Sequence, residues 1–345
     1  MPSTASYFIA AVAGEIEAAS SRMSTYRRSR ILSASASASA SVSRRFLIAS
    51  RTISPLTQVR ARSHSQAPPF AHPPVRIPAL VPDMGAPKIQ NTAFASTLKD
   101  ASKPIADVLA QFTKPVDDAV EAGSDDIESP LWTAWNDLVA IVGQTSHDEQ
   151  DRLVEFVKSL QKLPGPRSKK GGGACTVWSQ PATWDSLTLL GAVLRDSWNY
   201  TPDGPGASAN KGLWVNMNAF VARLTTLSQK PDDAFDYSLY AVWAMRDALE
   251  DPAPEAPIAH EELIKGAAAW LIYAAPTLKK LSQSGRVFEE KMAKEGQSLL
   301  GKDWVGFNEE RWALWKDRLA AVKGKSGDAE VQDFVAKALA EADRA

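Results

Sequence analysis

Residues 129–142 read Ser129-Pro130-Leu131-Trp132-Thr133-Ala134-Trp135-Asn136-Asp137-Leu138-Val139-Ala140-Ile141-Val142. Leu131, Trp132, Trp135, Leu138, Val139 and Val142 recur at i, i+1, i+4, i+7, i+8 and i+11, one stripe of a helix. Ser129-Pro130 marks the start, because proline's missing N–H costs nothing in a first helical turn. Ser146-His147-Asp148-Glu149 has the form of a capping box for a following helix. That helix buries Leu153, Phe156, Val157 and Leu160 and stops at Pro164-Gly165-Pro166. Arg167 to Gly173 then reads as a flexible loop.

The same period returns over about 186–199, 208–228, 236–250, 259–283, 306–323 and 328–343. Each break has a local cause, among them Thr201-Pro-Asp-Gly-Pro-Gly206, Lys230-Pro231 and Asp251-Pro-Ala-Pro254. Asp328 is placed to cap the last helix. A weaker pair, about 92–112 and 115–122, precedes the core. No alternation bounded by hairpin turns occurs. The fold class expected is all-α: a single multi-helix domain of about eight to ten helices, preceded by a disordered N-terminal extension. The domain spans 91–345 with its core at about 128–343, after a transit-peptide-like segment at 1–65 and a Pro-rich linker at 66–90.

The chain carries 39 basic and 40 acidic side chains, but they are unevenly placed. Residues 1–88 hold 11 Lys/Arg against 3 Asp/Glu, so the remainder holds 28 against 37. An acidic body argues against nucleic acid as a partner, which needs basic residues gathered on one face. From Met23 to Pro82 there are nine arginines and no acid, and residues 1–66 hold sixteen serines. Arg-rich, Ser-rich and acid-poor is the composition of a mitochondrial presequence, and mitochondrial import is the expectation, with the cytoplasm as alternative. Glu15 and Glu17 spoil the pattern upstream, and translation from Met23 would remove both. Seven prolines in residues 66–88 make the connection to the body extended and semi-rigid. No apolar run reaches the roughly 18 residues of a membrane span. The single cysteine, Cys175, excludes an internal disulfide and fits a reducing compartment.

Tests for chemistry return little. Asp232-Asp233-Ala234-Phe235-Asp236 matches a magnesium-diphosphate pattern, but Pro231 places it at a helix start, where aspartates cap N–H groups. His260-Glu261-Glu262-Leu263-Ile264 opens like a zinc helix and lacks the second histidine. Lys169-Lys170-Gly171-Gly172-Gly173 has its glycines after the lysines, the reverse of a phosphate loop. No cofactor, metal or catalytic set is implied, and enzyme activity stays undecided. All eleven tryptophans lie between Trp132 and Trp315, mostly at helical apolar positions that fill a core.

A polar set remains at positions that read as facing other helices: Trp214, Asn218, Arg223, Arg246 and Glu250, with Asn216 and Arg195 beside them. Buried amides and guanidinia usually tie helices together, and a ligand or partner site is the alternative. Arg246 has Glu250 four residues on, so the two are expected to pair while the remaining donors of Arg246 reach across to Asn218 or a backbone carbonyl.

The words Leu131-Trp132-Thr-Ala-Trp135-Asn136, Leu194-Arg195-Asp-Ser-Trp198, Trp214-Val-Asn-Met-Asn-Ala-Phe-Val-Ala-Arg-Leu224, Met245-Arg-Asp-Ala-Leu-Glu250 and Arg311-Trp-Ala-Leu-Trp-Lys316 resemble a fungal family of helical proteins known as a domain of unknown function. The resemblance covers about residues 128–343. It implies a fungal origin and one α-helical domain, and it implies neither a reaction nor a compartment. Two functions stay open: a non-catalytic helical interaction or scaffold protein with a protein partner, or a small-molecule binder or enzyme with a Trp-lined pocket. A cavity reaching the polar set would favour the second, and polar groups paired to one another in a solid core the first.

Overall fold

The computed structural model describes residues 88–199, 212–251, 260–289 and 292–345. The transit-peptide-like segment and nearly all of the Pro-rich linker lie outside these. The described residues form ten α-helices: α1 (Thr92–Lys99), α2 (Ile105–Glu121), α3 (Glu128–Gln144), α4 (Asp151–Leu160), α5 (Leu190–Ser197), α6 (Leu213–Thr225), α7 (Ser238–Met245), α8 (Glu261–Ser284), α9 (Glu309–Lys325) and α10 (Ala329–Arg344). The protein is all-α, as the periodicity implies. A two-residue hairpin, Thr176–Val177 against Gln180–Pro181, is the strand content among the described residues.

Helix α8 organises the packing, with α6 along one side and α10 along another. Small residues make this close approach feasible: Gly266, Ala267, Ala268, Ala269, Ala274 and Ala275 are all buried. At Gly266 a Cβ would fall 2.5 Å from Trp214 Nε1 and 3.1 Å from Asn218 Nδ2, so only glycine fits that crossing. Helix α3 packs on α2, α5 and α6, and α9 closes against α8 and α10.

Several boundaries differ from expectation for identifiable reasons. The break between the first two helices falls at Asp100–Pro104, and Pro115 lies inside α2 rather than at a helix start. Pro115 has no N–H for the Gln111 carbonyl. The Asn91 amide supplies the replacement, donating Nδ2 to Gln111 O at 3.0 Å while its Oδ1 caps Phe94 N. Buried Asp137 on α3 accepts from Gln90 N and Asn91 N at 2.6 and 2.8 Å, fixing where the chain enters the core. The capping box at Ser146 does not form: Ser146 Oγ bonds Asp148, and α4 starts later, at Asp151. Asp328 caps α10 as expected, accepting from Glu330 N and Val331 N. The Arg167–Gly173 loop is held down by Ser168 on Asp125 and Lys169 on Glu121.

Candidate functional site

Helix α7 passes at Arg246 into one π-helical turn, Arg246–Glu250. On a continued α-helix, residues four apart share a face. Across this turn, however, Glu250 is fully buried while Arg246 stays half-buried near Asp247, 3.6 Å away. The expected Arg246–Glu250 pair and the reach of Arg246 to Asn218 therefore do not occur. Burial raises the Asp247 carboxyl above its ordinary range, against the pull of Arg246.

Glu250 pairs instead with Arg311 on α9, also fully buried. Glu250 Oε1 accepts from Arg311 Nε at 2.7 Å and from Trp315 Nε1 at 2.6 Å. Its Oε2 accepts from Arg311 Nη2 and Gly296 N, each at 2.9 Å. The remaining Arg311 donors go to the carbonyls of Ala293, Gly306 and Lys294 at 2.9, 2.8 and 3.1 Å. All five N–H groups of the guanidinium have acceptors. A Cβ at residue 296 would lie 2.5 Å from Glu250 Cβ, so Gly296 lets its N–H approach the carboxylate.

Asn218 is likewise closed. Its Nδ2 donates to Trp214 O and its Oδ1 accepts from Trp270 Nε1, both at 2.8 Å. Trp214 packs beside it against Trp198, with ring centroids 4.9 Å apart. Arg223, one and a half turns on, faces the other way and reaches the surface. Its Nη1 meets Asp151 Oδ1 at 2.7 Å and its Nη2 meets His147 O at 3.2 Å. The guanidinium carbon lies 4.1 Å from the centre of the Tyr273 ring. Tyr273 OH stands 2.6 Å from His147 Nδ1, and the His147 ring meets Phe334 of α10 edge-on. Burial holds the His147 imidazole below its usual range and pushes the Tyr273 phenol up. Both shifts favour the uncharged forms of the two rings. Of the five residues named from the sequence, Trp214 and Asn218 meet, while Arg223, Arg246 and Glu250 each turn to a different partner.

In the Asp232–Asp236 motif two carboxylates, Asp233 and Asp236, bind backbone N–H groups, and that of Asp232 pairs with Arg286. Asp233 accepts from Gln229 N, Lys230 N and Phe235 N, and Asp236 from Asp232 N and Ser238 N. The Arg286 guanidinium supplies the cation, meeting Asp232 at 2.6 Å and Asp236 at 3.4 Å. No group of three or more metal-ligating side chains occurs among the described residues. His260 caps α8 through Glu262 N. Cys175 is buried, and burial raises its thiol.

Arg311 escaped the sequence reading because its partner is 61 residues away. A signal was present: Arg311, Trp312, Trp315 and Leu319 form an apolar stripe in which an arginine with no local acid requires a distant one.

Residues 135–319 match the family described as protein of unknown function, DUF3632. The chain belongs to the DUF3632 family. No curated protein and no solved structure matches it. The DUF3632 segment holds Glu250, Arg311, Trp315 and the Asn218–Trp270 contact, whereas buried Asp137 and Lys265 take partners outside it, at Gln90, Asn91 and Glu330. Helices α1, α2 and α10 lie outside it, and α10 supplies the Phe334 edge against His147.

Proposed function

We propose that this DUF3632 protein is a non-catalytic helical interaction or scaffold protein. The observation that carries the reading is the mutual saturation of Glu250 and Arg311. A buried carboxylate acting as a base must direct a lone pair at a substrate proton. Both Glu250 oxygens are directed at protein donors, two each. The tryptophans support the same reading, since Trp135, Trp243, Trp270 and Trp315 donate their indole N–H to protein acceptors. Of the polar set, Arg223 lines an open hollow of about 340 Å³, and no tryptophan lines that hollow. Function on this reading belongs to the surface.

Proximity labelling of the tagged chain in its host tests the proposal. A reproducible set of protein neighbours is expected. A profile indistinguishable from that of a freely diffusing control would contradict it.

We also propose mitochondrial import, on the strength of the nine arginines and absent acids between Met23 and Pro82. A fusion of residues 23–90 to a fluorescent protein should reach mitochondria. A diffuse cytosolic signal would overturn the assignment in favour of the cytoplasm.

A further inference from the structure

His147 stands in the turn between α3 and α4 and is covered from two sides. Tyr273 of α8 places its OH 2.6 Å from Nδ1. The Phe334 ring of α10 meets the imidazole edge-on, with centroids 4.9 Å apart. Charge reaches the ring from each element around it: Asp148 in the turn itself, Arg223 on α6, Lys265 on α8 and Lys337 on α10. Arg223 and Lys265 have their own acids, Asp151 at 2.7 Å and Glu262 at 3.0 Å. Lys337 is exposed, as is Asp148, which accepts from Ser146 Oγ. A proton on His147 must therefore be held under Phe334 and beside three cations. Burial opposes it first, the cations add to this, and Asp148 alone favours it.

Of the two covers, α10 is the one that can move. Displacing α8 would open its crossing with α6 at Gly266, in the middle of the core. Displacing α10 carries Phe334 and Lys337 away from the imidazole together. Little polar structure resists this. Glu330 is 63% exposed, and on leaving it gives up Lys265, which keeps Glu262. The Lys316–Asp343 pair to α9 lies at the surface. The buried face of α10 is Val331, Phe334, Val335 and two alanines, Ala338 and Ala342. Only Ser326–Asp328 joins it to α9, with Gly327 in open space. We infer that α10 is an acid-released helix: protonation of His147 lifts it from α8 while the other helices stay folded, baring the strip of α8 that it covers. This stands apart from the interaction reading and does not depend on it.

Amide hydrogen exchange of the full chain at about pH 7.5 and about pH 5.5, corrected for intrinsic rates, tests the inference. Amides of α10 should be less protected than those of α6 at both pH values, the mark of a local opening. An imidazole that titrates near its ordinary value of about 6.5 once uncovered limits the gain on acidification to about tenfold, so α10 opening should rise about five- to tenfold. His147→Gln should abolish that rise. His260→Gln, at the cap of α8, should leave it in place. Equal protection of α10 and α6 would overturn the local release. A wild-type α10 whose opening does not respond to pH, or a response that persists in His147→Gln, would overturn His147 as the trigger.

Discussion

Arg311 donates from Nε and Nη2 to the two oxygens of Glu250 at 2.7 and 2.9 Å, with both side chains fully buried. Removing two charges from water is costly, and their attraction offsets that cost only where the remaining donors and acceptors are also bonded. Here they are, through Trp315, Gly296 and three carbonyls between Ala293 and Gly306. The pair therefore does two things. It joins the π-turn after α7 to α9, and it gathers the irregular chain between α8 and α9 around one guanidinium.

At the α6–α8 crossing, Gly266→Ala should destabilise by about 1–3 kcal/mol, because the added methyl meets a rigid indole rather than a flexible side-chain end. Urea unfolding reads the loss. An unchanged midpoint would mean that the helices are not in contact there.

Asn91→Ala should cost about 1–2 kcal/mol, since it removes a cap and leaves the Gln111 carbonyl without its donor. In a Pro115→Ala background the new N–H can serve that carbonyl, so the same substitution should cost less. A double-mutant cycle measures the difference. Equal costs in the two backgrounds would refute the coupling.

His147 provides a pH dependence with a defined sign. Its folded pKa lies below the ordinary 6.5, chiefly through burial, so the unfolded chain binds this proton more readily. Stability from this group is present above about pH 6.5 and is lost as pH falls toward the folded value. Nearby Lys265, Lys337 and Arg223 act in the same direction, and Asp148 opposes them. His147→Gln should flatten the fall in Tm between about pH 6.5 and 5 relative to wild type. Parallel Tm curves for the two proteins would contradict the burial argument.

Much of the fold is legible in the sequence because helical stripes are local. The spacing from Leu131 to Val142 marks α3, and Asp328 marks the start of α10 by simple capping chemistry. Contacts across the chain are not legible in the same way. Glu250 answers to Arg311 and Trp315 on another helix rather than to Arg246 four residues before it. Pro115 reads as a helix boundary until the Asn91 amide, supplied from 20 residues upstream, is seen on Gln111 O. Arg223 and Asn218 read alike as inward polar residues, yet Asn218 bonds Trp270 whereas Arg223 opens onto a groove.

The claim that the polar interior maintains the fold, leaving function to the surface, is tested most directly at Glu250. Residues at binding or catalytic sites are often strained, and truncating them leaves stability unchanged or raises it. A carboxylate whose removal strands a buried guanidinium behaves in the opposite way. Equilibrium urea unfolding of Glu250→Ala should show a loss of about 3–5 kcal/mol relative to wild type. A variant as stable as wild type, or more so, would contradict the account and mark Glu250 as part of a functional site.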